Sequence, residues 1–407
     1  MAAPLSHVRV LDITRVLAGP WATQNLGDLG AEVIKVERPG RGDDTRDYGP
    51  PFVRDPQGHE TSDAVYFMSA NRNKKSITLD IATPEGQSVV RKLAANCDVL
   101  VENYKVGTLK RYGLSYDDLK AINPSLIYCS ITGFGQDGPY AARAGYDLLF
   151  QGMGGLMSIT GEMDGLPGSG PQKVGIAITD ILAGMYASLA ITAAIAHRER
   201  TGEGQYIDIA LLDAMVAFMS SAALNWLEEG KIAKRWGTAH PQIAPYQAFE
   251  TADGHMLLAI GSDSQFASFC RVVGHAALAE DERFRRNAGR VQNRVALVAE
   301  VGAILRKRSK REWQQLLDPV GVPCGPINGM DEVFAEPQVR HREMALELPH
   351  AAAGTVHSIA NPMRLSASPV SYRSGPPLLG QHTQEVLSGL LRMEVGEIES
   401  LRQAHVI

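Results

Sequence analysis

The sequence predicts an α/β fold in which a parallel sheet is covered by helices on both faces, accompanied by a smaller second domain. Three observations carry this expectation. Short β-branched runs alternate with helical patterns through the first half of the chain. Several helix starts carry their own capping residues. A chain of 407 residues, 44% hydrophobic and 21% charged, has volume for a substantial core and two or three domains, and its composition excludes disordered and fibrous classes.

Strands are expected at 8–13, 32–37, 76–81, 98–101, 126–132 and 205–210. Between them, Thr83-Pro84-Glu85 sets a capping hydroxyl before a first-turn proline, and Ser115 with Asp118 has capping-box spacing. The β-like run 174–179 leads to Asp180, and an apolar helix is expected from Ile181. Its uncharged stretch, 181–196, is short for the roughly 20 residues that span a bilayer and contains Gly184, Ser188 and Thr192, so it reads as a buried helix. Residues 215–229 look helical, 231–245 resemble a connection, 255–260 form a strand, and Ser309 with Glu312 opens a helix. A last short helix is expected at 384–391. The expected division is a large domain from 1–211 and 350–407, linkers at 212–240 and 326–349, and a small domain at 241–325.

A net charge of -5 gives no global attraction to nucleic acid or to an anionic membrane, so neither is an expected partner and any phosphate recognition must be local. Cysteines 97, 129, 270 and 324 are too scattered for a structural zinc site and too few to staple this chain. The histidines form no metal-like cluster, and none is expected to hold a metal. The first residues lack a basic region followed by an apolar run, so no signal peptide is expected. A reduced, cytoplasmic protein fits, with the mitochondrial matrix open only if a leader was removed.

The first strand runs into Thr14–Pro20 and the second ends in Glu37. The acidic residue suits a nicotinamide ribose, but the glycine triplet of a dinucleotide loop is absent, which disfavours that reading. Arg38, Arg41 and Arg46 lie in a glycine-rich loop with Asp43 and Asp44. They read either as a bidentate phosphate site or as surface arginines neutralised by the two aspartates. Residues 71–75, and Asn103-Tyr104-Lys105 with Arg111, add basic elements at the same sheet edge. Asp180 reads as an N-cap carboxylate or, from the same geometry, as an ionised nucleophile facing a pocket. Gly152-Met153-Gly154-Gly155 is a flexible turn beside a substrate or a tight connection. No Gly-x-Ser-x-Gly occurs in a strand-turn-helix setting.

An ordered set of segments resembles the class III CoA-transferases, the formyl-CoA transferase and carnitine CoA-transferase family. It comprises VLDITRVLAGPWATQNLGDLGAEVIKVERPGRGDDTR at 10–46, NRNKKSITLD at 71–80, DVLVENYKVGTLKRYGL at 98–114, YCSITGFGQDGPYAARAGYD at 128–147, TDILAGMYA at 179–187, VPCGPIN at 322–328 and PPLLGQHT at 376–383. The resemblance implies a Rossmann-like large domain plus a smaller α+β domain in an interlocked homodimer. It makes Asp180 the covalent nucleophile, passing through an acyl anhydride and an aspartyl-CoA thioester. It places coenzyme A, as a thioester substrate rather than a resident cofactor, against Val16, Leu17, Ala18, Arg38, Leu79, Ile81, Asn103, Tyr104, Arg111, Arg143 and Tyr146. Asp147 matches an acidic position near the family's active site, and Gly154 and Gly155 are candidates to line the substrate site.

Two departures bear on substrate. Leu17 stands where the oxalate-using formyl-CoA transferase has glutamine, and that enzyme's tetraglycine loop is not evident, so an oxalate-type transferase is the alternative rather than the main expectation. ERPGRGDDTR, NRNKKS and RWGTAH (235–240) resemble succinyl-CoA:glutarate CoA-transferases. A small dicarboxylic acid and an acyl-CoA donor such as succinyl-CoA are therefore the expected partners, with Arg72, Arg235 and His240 as candidates for the distal carboxylate. The superfamily's α-methylacyl-CoA racemases have histidine where Tyr146 stands, and tyrosine is a poor base at neutral pH. A non-catalytic acyl-CoA-binding protein is the alternative of a different class.

Overall fold

The computed structural model describes residues 3–407. Met1 and Ala2, part of the stretch read for a signal peptide, lie outside the described residues. The chain divides into two compact units: 1–156, 174–224 and 338–407 form the first, and 157–173 with 225–337 form the second. Residues 157–173, assigned from sequence to the large domain, therefore group with the smaller unit.

In the first unit, chain order runs β1 (Arg9–Asp12), α1 (Ala18–Asp28), β2 (Glu32–Glu37), β3 (Lys74–Thr78), α2 (Pro84–Ala94), β4 (Val99–Glu102), β5 (Ile127–Thr132), α3 (Asp147–Met153), α4 (Ile178–Thr201), β6 (Tyr206–Ala210), α5 (Leu211–Phe218) and, crossing to the second unit, α6 (Ser220–Glu229). The six strands form one sheet in the order β3-β2-β1-β4-β5-β6, and every pair is parallel. This is the order of doubly wound folds, whose ligands bind where the order reverses, outside the carboxyl ends of β1 and β4.

Period-2 alternation splits the strands between two cores. Leu11, Ile34, Leu100 and Tyr128 face α2 residues Val89, Val90 and Leu93, together with Val386, Leu387, Ile398 and Val406 from the chain's end. Val10, Val33, Val99 and Ile127 face Ala22 and Leu26 of α1 and Ala183, Ala187 and Ile191 of α4. The C-terminal stretch thus completes one face of the sheet, and Asp80 donates its N–H to Val406 O at 2.7 Å.

Three elements differ from expectation. Strand β3 begins at Lys74 rather than 76, because the Lys74 ammonium is buried on Asp12, Pro20 O and Asn71. An ion-paired strand residue leaves no mark in a hydrophobic pattern. The run 174–179 is not a strand: α4 starts at Ile178, so Asp180 sits inside its first turn and Ala177, not Asp180, is the N-cap. Residues 212–240 are not simply a linker, since α5 and α6 occupy much of them, parted at Met219 with Ser220, the first residue of α6, at φ 46°. By length and composition α4 is the one described helix able to cross a membrane, and its Ala183, Gly184, Ala187 and Ile191 are buried.

The second unit carries a three-stranded antiparallel sheet of β7 (Tyr246–Thr251), β8 (Gly254–Ala259) and β9 (Cys324–Pro326). Its core includes Phe249, Met256, Leu258, Phe266, Phe269, Leu297 and Trp313. The Ser309–Glu312 capping box forms there, and the Ser115–Asp118 box and the Thr83 cap form in the first unit.

Candidate active site

At the switch point the chain leaving β1 is held from two sides. Asn103, just past β4, accepts the Arg15 N–H at 2.9 Å and donates to Arg15 O at 2.7 Å. Asp43 accepts the Val16 N–H at 3.2 Å. Between them Val16 adopts φ 69°, a conformation that costs a β-branched residue about 1–3 kcal/mol and persists only where surroundings over-determine it. Asp43 is itself fixed by fully buried Lys35, which also donates to Thr14 O at 2.9 Å. Against the burial that would raise it, the ammonium groups of Lys74 and Lys35 hold Asp12 down to about 2.

The loop after β2 resolves the two readings of its arginines differently for each residue. Arg46 is buried and bridges Glu37 and Asp63. Glu37 accepts from Arg46, Ser76 and the Asp43 N–H, so its carboxylate is committed to the fold and is not available as a ribose ligand. Arg15, Arg38 and Arg41 instead converge on one carboxylate, Asp44, at 3.4, 3.6 and 3.6 Å. Arg41 also reaches Asp47 at 4.0 Å, so three positive charges meet two negative ones and the corner keeps a net positive charge. It borders a cavity of about 210 Å³ whose lining includes Arg15, Arg38, Leu79, Ile81, Tyr104 and Tyr112. Arg15 Nε is buried without a partner among the described residues. Such a corner suits a phosphate-bearing ligand, because guanidinium groups bind phosphate oxygens through paired N–H bonds.

Asp180 lies in the first turn of α4. Four residues on, Gly184 brings this helix backbone to backbone with α1: a Cβ there would lie 2.5 Å from Ala18 O and 3.2 Å from Trp21 Cβ. The Asp180 carboxyl is pushed up to about 7 by burial and then by the negative charge of Asp147. Asp147 accepts the Thr179 N–H at 2.7 Å and a Gln151 side-chain N–H at 2.6 Å. The Tyr66 phenol, on the short helix Val65–Met68, is raised by burial and by Asp180, Tyr48 and Asp147. Tyr48 packs edge-on against it at 5.5 Å. A half-buried carboxylate with no ion-pairing cation among the described residues, beside the Tyr66 phenol, is a competent nucleophile once ionised.

A model of CoA-transferase family III matches residues 5–383. The chain belongs to this family. Within it, a Mus musculus protein named succinyl-CoA:glutarate CoA-transferase is 48% identical, covering 99% of this chain and 90% of its own. An Agrobacterium fabrum protein named succinate–glutarate CoA-transferase is 46% identical, covering 96% of both. The crystal structure of a CAIB/BAIF family protein from Brucella suis superposes with a TM-score of 0.85 at 46% identity, covering 96% of this chain and 100% of that one.

Of the positions that the family resemblance singles out, the structure gathers Arg38, Leu79, Ile81 and Tyr104 around the one cavity. Asn103 braces Val16 through Arg15, and Leu17 and Ala18 open α1. Arg111 is exposed at the end of the helix Thr108–Arg111. Arg143 stacks on Tyr140 at 4.4 Å and Phe134 at 5.0 Å, and Tyr146 is 74% exposed next to Asp147. Gly154 is a close-packing position, where a Cβ would lie 2.3 Å from Met215 Cγ, and Gly155 turns the chain at φ 90°.

The expectation for Arg72 fails. It is buried, chelates Asp28 through Nε and Nη2 and donates Nη1 to Ile359 O. Every arm is spent on the fold, so it cannot bind an acceptor carboxylate. In the second unit, Arg235 is ion-paired to Asp164, and His240 accepts the Gln242 N–H at 3.1 Å with its ring against Tyr246. Sequence reasoning missed Arg15, Tyr48, Tyr66 and Gln151. Only Gln151 had a signal, its position four residues from Asp147 on one helix face.

Proposed function

We propose that this chain moves CoA from succinyl-CoA to a small dicarboxylate such as glutarate through covalent intermediates on Asp180. The substrate pair is supported by the names of the mouse and Agrobacterium relatives, each similar over nearly the whole chain. The chemistry rests on one observation: Asp180 is a sheltered carboxyl beside a second carboxylate, raised to about 7.

An Asp180 oxygen bonds to the thioester carbonyl carbon, and collapse of the tetrahedral oxyanion breaks the C–S bond. This leaves an acyl-aspartyl anhydride and CoA thiolate. The thiolate then attacks the aspartyl carbonyl, expelling the donor carboxylate and leaving an aspartyl-CoA thioester. The acceptor carboxylate attacks that thioester to form a second anhydride, and the thiolate takes the acceptor's acyl group, regenerating Asp180. No proton is gained or lost overall, so no general base is needed; one thioester replaces another, and covalent capture divides the barrier. The electropositive corner at Arg15, Arg38 and Arg41 serves the CoA phosphates.

The active form is proposed to be an interlocked homodimer. Its support is apolar side chains exposed on the first unit, Tyr146 and Leu148 at the start of α3 and Met185, Tyr186 and Leu189 along α4, which a subunit interface would cover.

Intact-protein mass spectrometry after brief incubation with succinyl-CoA tests the mechanism. A CoA or succinyl adduct mapping to Asp180, absent in Asp180→Ala, is expected. Unaltered turnover by Asp180→Ala defeats it, and no exchange with any acid in the unmutated protein favours a binding protein.

A further inference from the structure

The six residues ahead of Asp180 pass through no strand, and α4 begins behind Ala177, whose side chain offers no acceptor. The first-turn amides of a helix need one. It comes from another helix: Asp147 Oδ1 accepts the Thr179 N–H at 2.7 Å. Asp147 Oδ2 is engaged in turn by Gln151 Nε2 at 2.6 Å. Gln151, fully buried one turn further along α3, then reaches the approach segment itself. Its Oε1 accepts the Val174 N–H at 2.8 Å, and its Nε2 donates to Ile176 O at 3.2 Å. Three backbone groups leading to Asp180 thus end on two side chains of a single helical turn.

We infer that Gln151 is a positioning residue, which holds Asp147 and the 174–176 backbone in place and so fixes where α4 begins and where Asp180 is presented. The inference rests on Asp180 being the nucleophile. A buried amide is costly unless both its ends are bonded, and the bonds of this one all fall on the immediate approach to that residue. During turnover the Asp180 carboxyl becomes in succession part of an anhydride, a thioester and a second anhydride. A start to α4 that shifts by an ångström would separate the reacting atoms, a displacement that costs about 100-fold in rate. Among the described residues, the charged and titratable groups facing Asp180 are Asp147 from α3 and the Tyr66 phenol from Val65–Met68. Of the two, Gln151 grips Asp147.

The test uses full-length Gln151→Met, close in volume with no amide, and Gln151→Glu, which retains an acceptor for Val174 N–H but loses both donated bonds. Stopped incubations with succinyl-CoA give the rate of adduct formation, its dependence on acyl-CoA concentration and its pH midpoint, beside circular dichroism and Tm. The expected result is folded protein, adduct formation slowed about 10- to 100-fold, half-saturation changed less than about threefold, and a lower pH midpoint in Gln151→Met as the Asp147 charge loses its fixed place beside Asp180. A folded variant with the parent rate and midpoint overturns the inference, as does loss of fold in both variants, which assigns Gln151 to stability alone. No adduct even in the parent protein removes the nucleophile reading and this inference with it. Adduct in the parent, with unchanged kinetics in the variants, removes only the role of Gln151.

Discussion

Asp147 and Asp180 face each other as two carboxyl groups with no ion-pairing cation on either among the described residues, and burial together with the Asp147 charge lifts Asp180 to about 7. Because the attacking form is the carboxylate, kcat/KM should rise with pH through an acid limb near that value. Replacing Asp147 by asparagine removes the like charge and should move the limb to lower pH, measured from pH–rate profiles with saturating acceptor.

The same raised pKa has a stability consequence of definite sign. Between the ordinary value of 3.8 and about 7 the folded state binds more protons at Asp180 than the unfolded chain does, so stability falls as pH rises through that window. Asp180→Asn should therefore melt higher than the parent at pH 8, with the gap closing toward pH 4. Glu102, also pushed up to about 7 by burial, acts equally in both proteins and cancels in the comparison. Thermal melts at the two pH values check it.

Arg72→Ala should leave Asp28 buried without its partner. Breaking such a pair costs about 3–5 kcal/mol, so the variant should lose stability in chemical denaturation while its ranking of acceptor acids stays unchanged. A changed acceptor preference in folded protein would restore Arg72 to the substrate site.

Arg38→Ala should raise KM for the acyl-CoA about 10-fold or more with kcat little altered, since lost phosphate contacts weaken ground and transition states alike. The penalty should shrink as salt screens the corner. Steady-state kinetics at low and high ionic strength are the check.

Gly184→Ala places a methyl 2.5 Å from Ala18 O. Backbone there cannot yield cheaply, so a loss of about 1–3 kcal/mol in stability is expected, with a fall in kcat as α4 is displaced from α1.

Much of the fold was legible because parallel strands buried on both faces are written as apolar runs. Residues 32–37 were bounded correctly, and Thr83, Ser115 and Ser309 announced their helices through capping chemistry that is local in sequence. What was not legible depends on partners distant along the chain. Lys74 starts a strand because of Asp12, and α4 starts early because Asp147 caps it from another helix. Arg72 looked like a free cation in a basic run, and only Asp28, 44 residues away, shows that it is spent. Tyr48 and Tyr66 reach the Asp180 neighbourhood through tertiary packing that no spacing rule encodes.

The interleaving of Val386, Leu387, Ile398 and Val406 with strands from the first third of the chain has a consequence for biosynthesis. That face of the nascent sheet, roofed early by α2, stays incompletely covered until residues 386–406 have left the ribosome, so a chain stopped before them exposes part of the cluster around Leu11, Ile34 and Leu100 to chaperones and to aggregation.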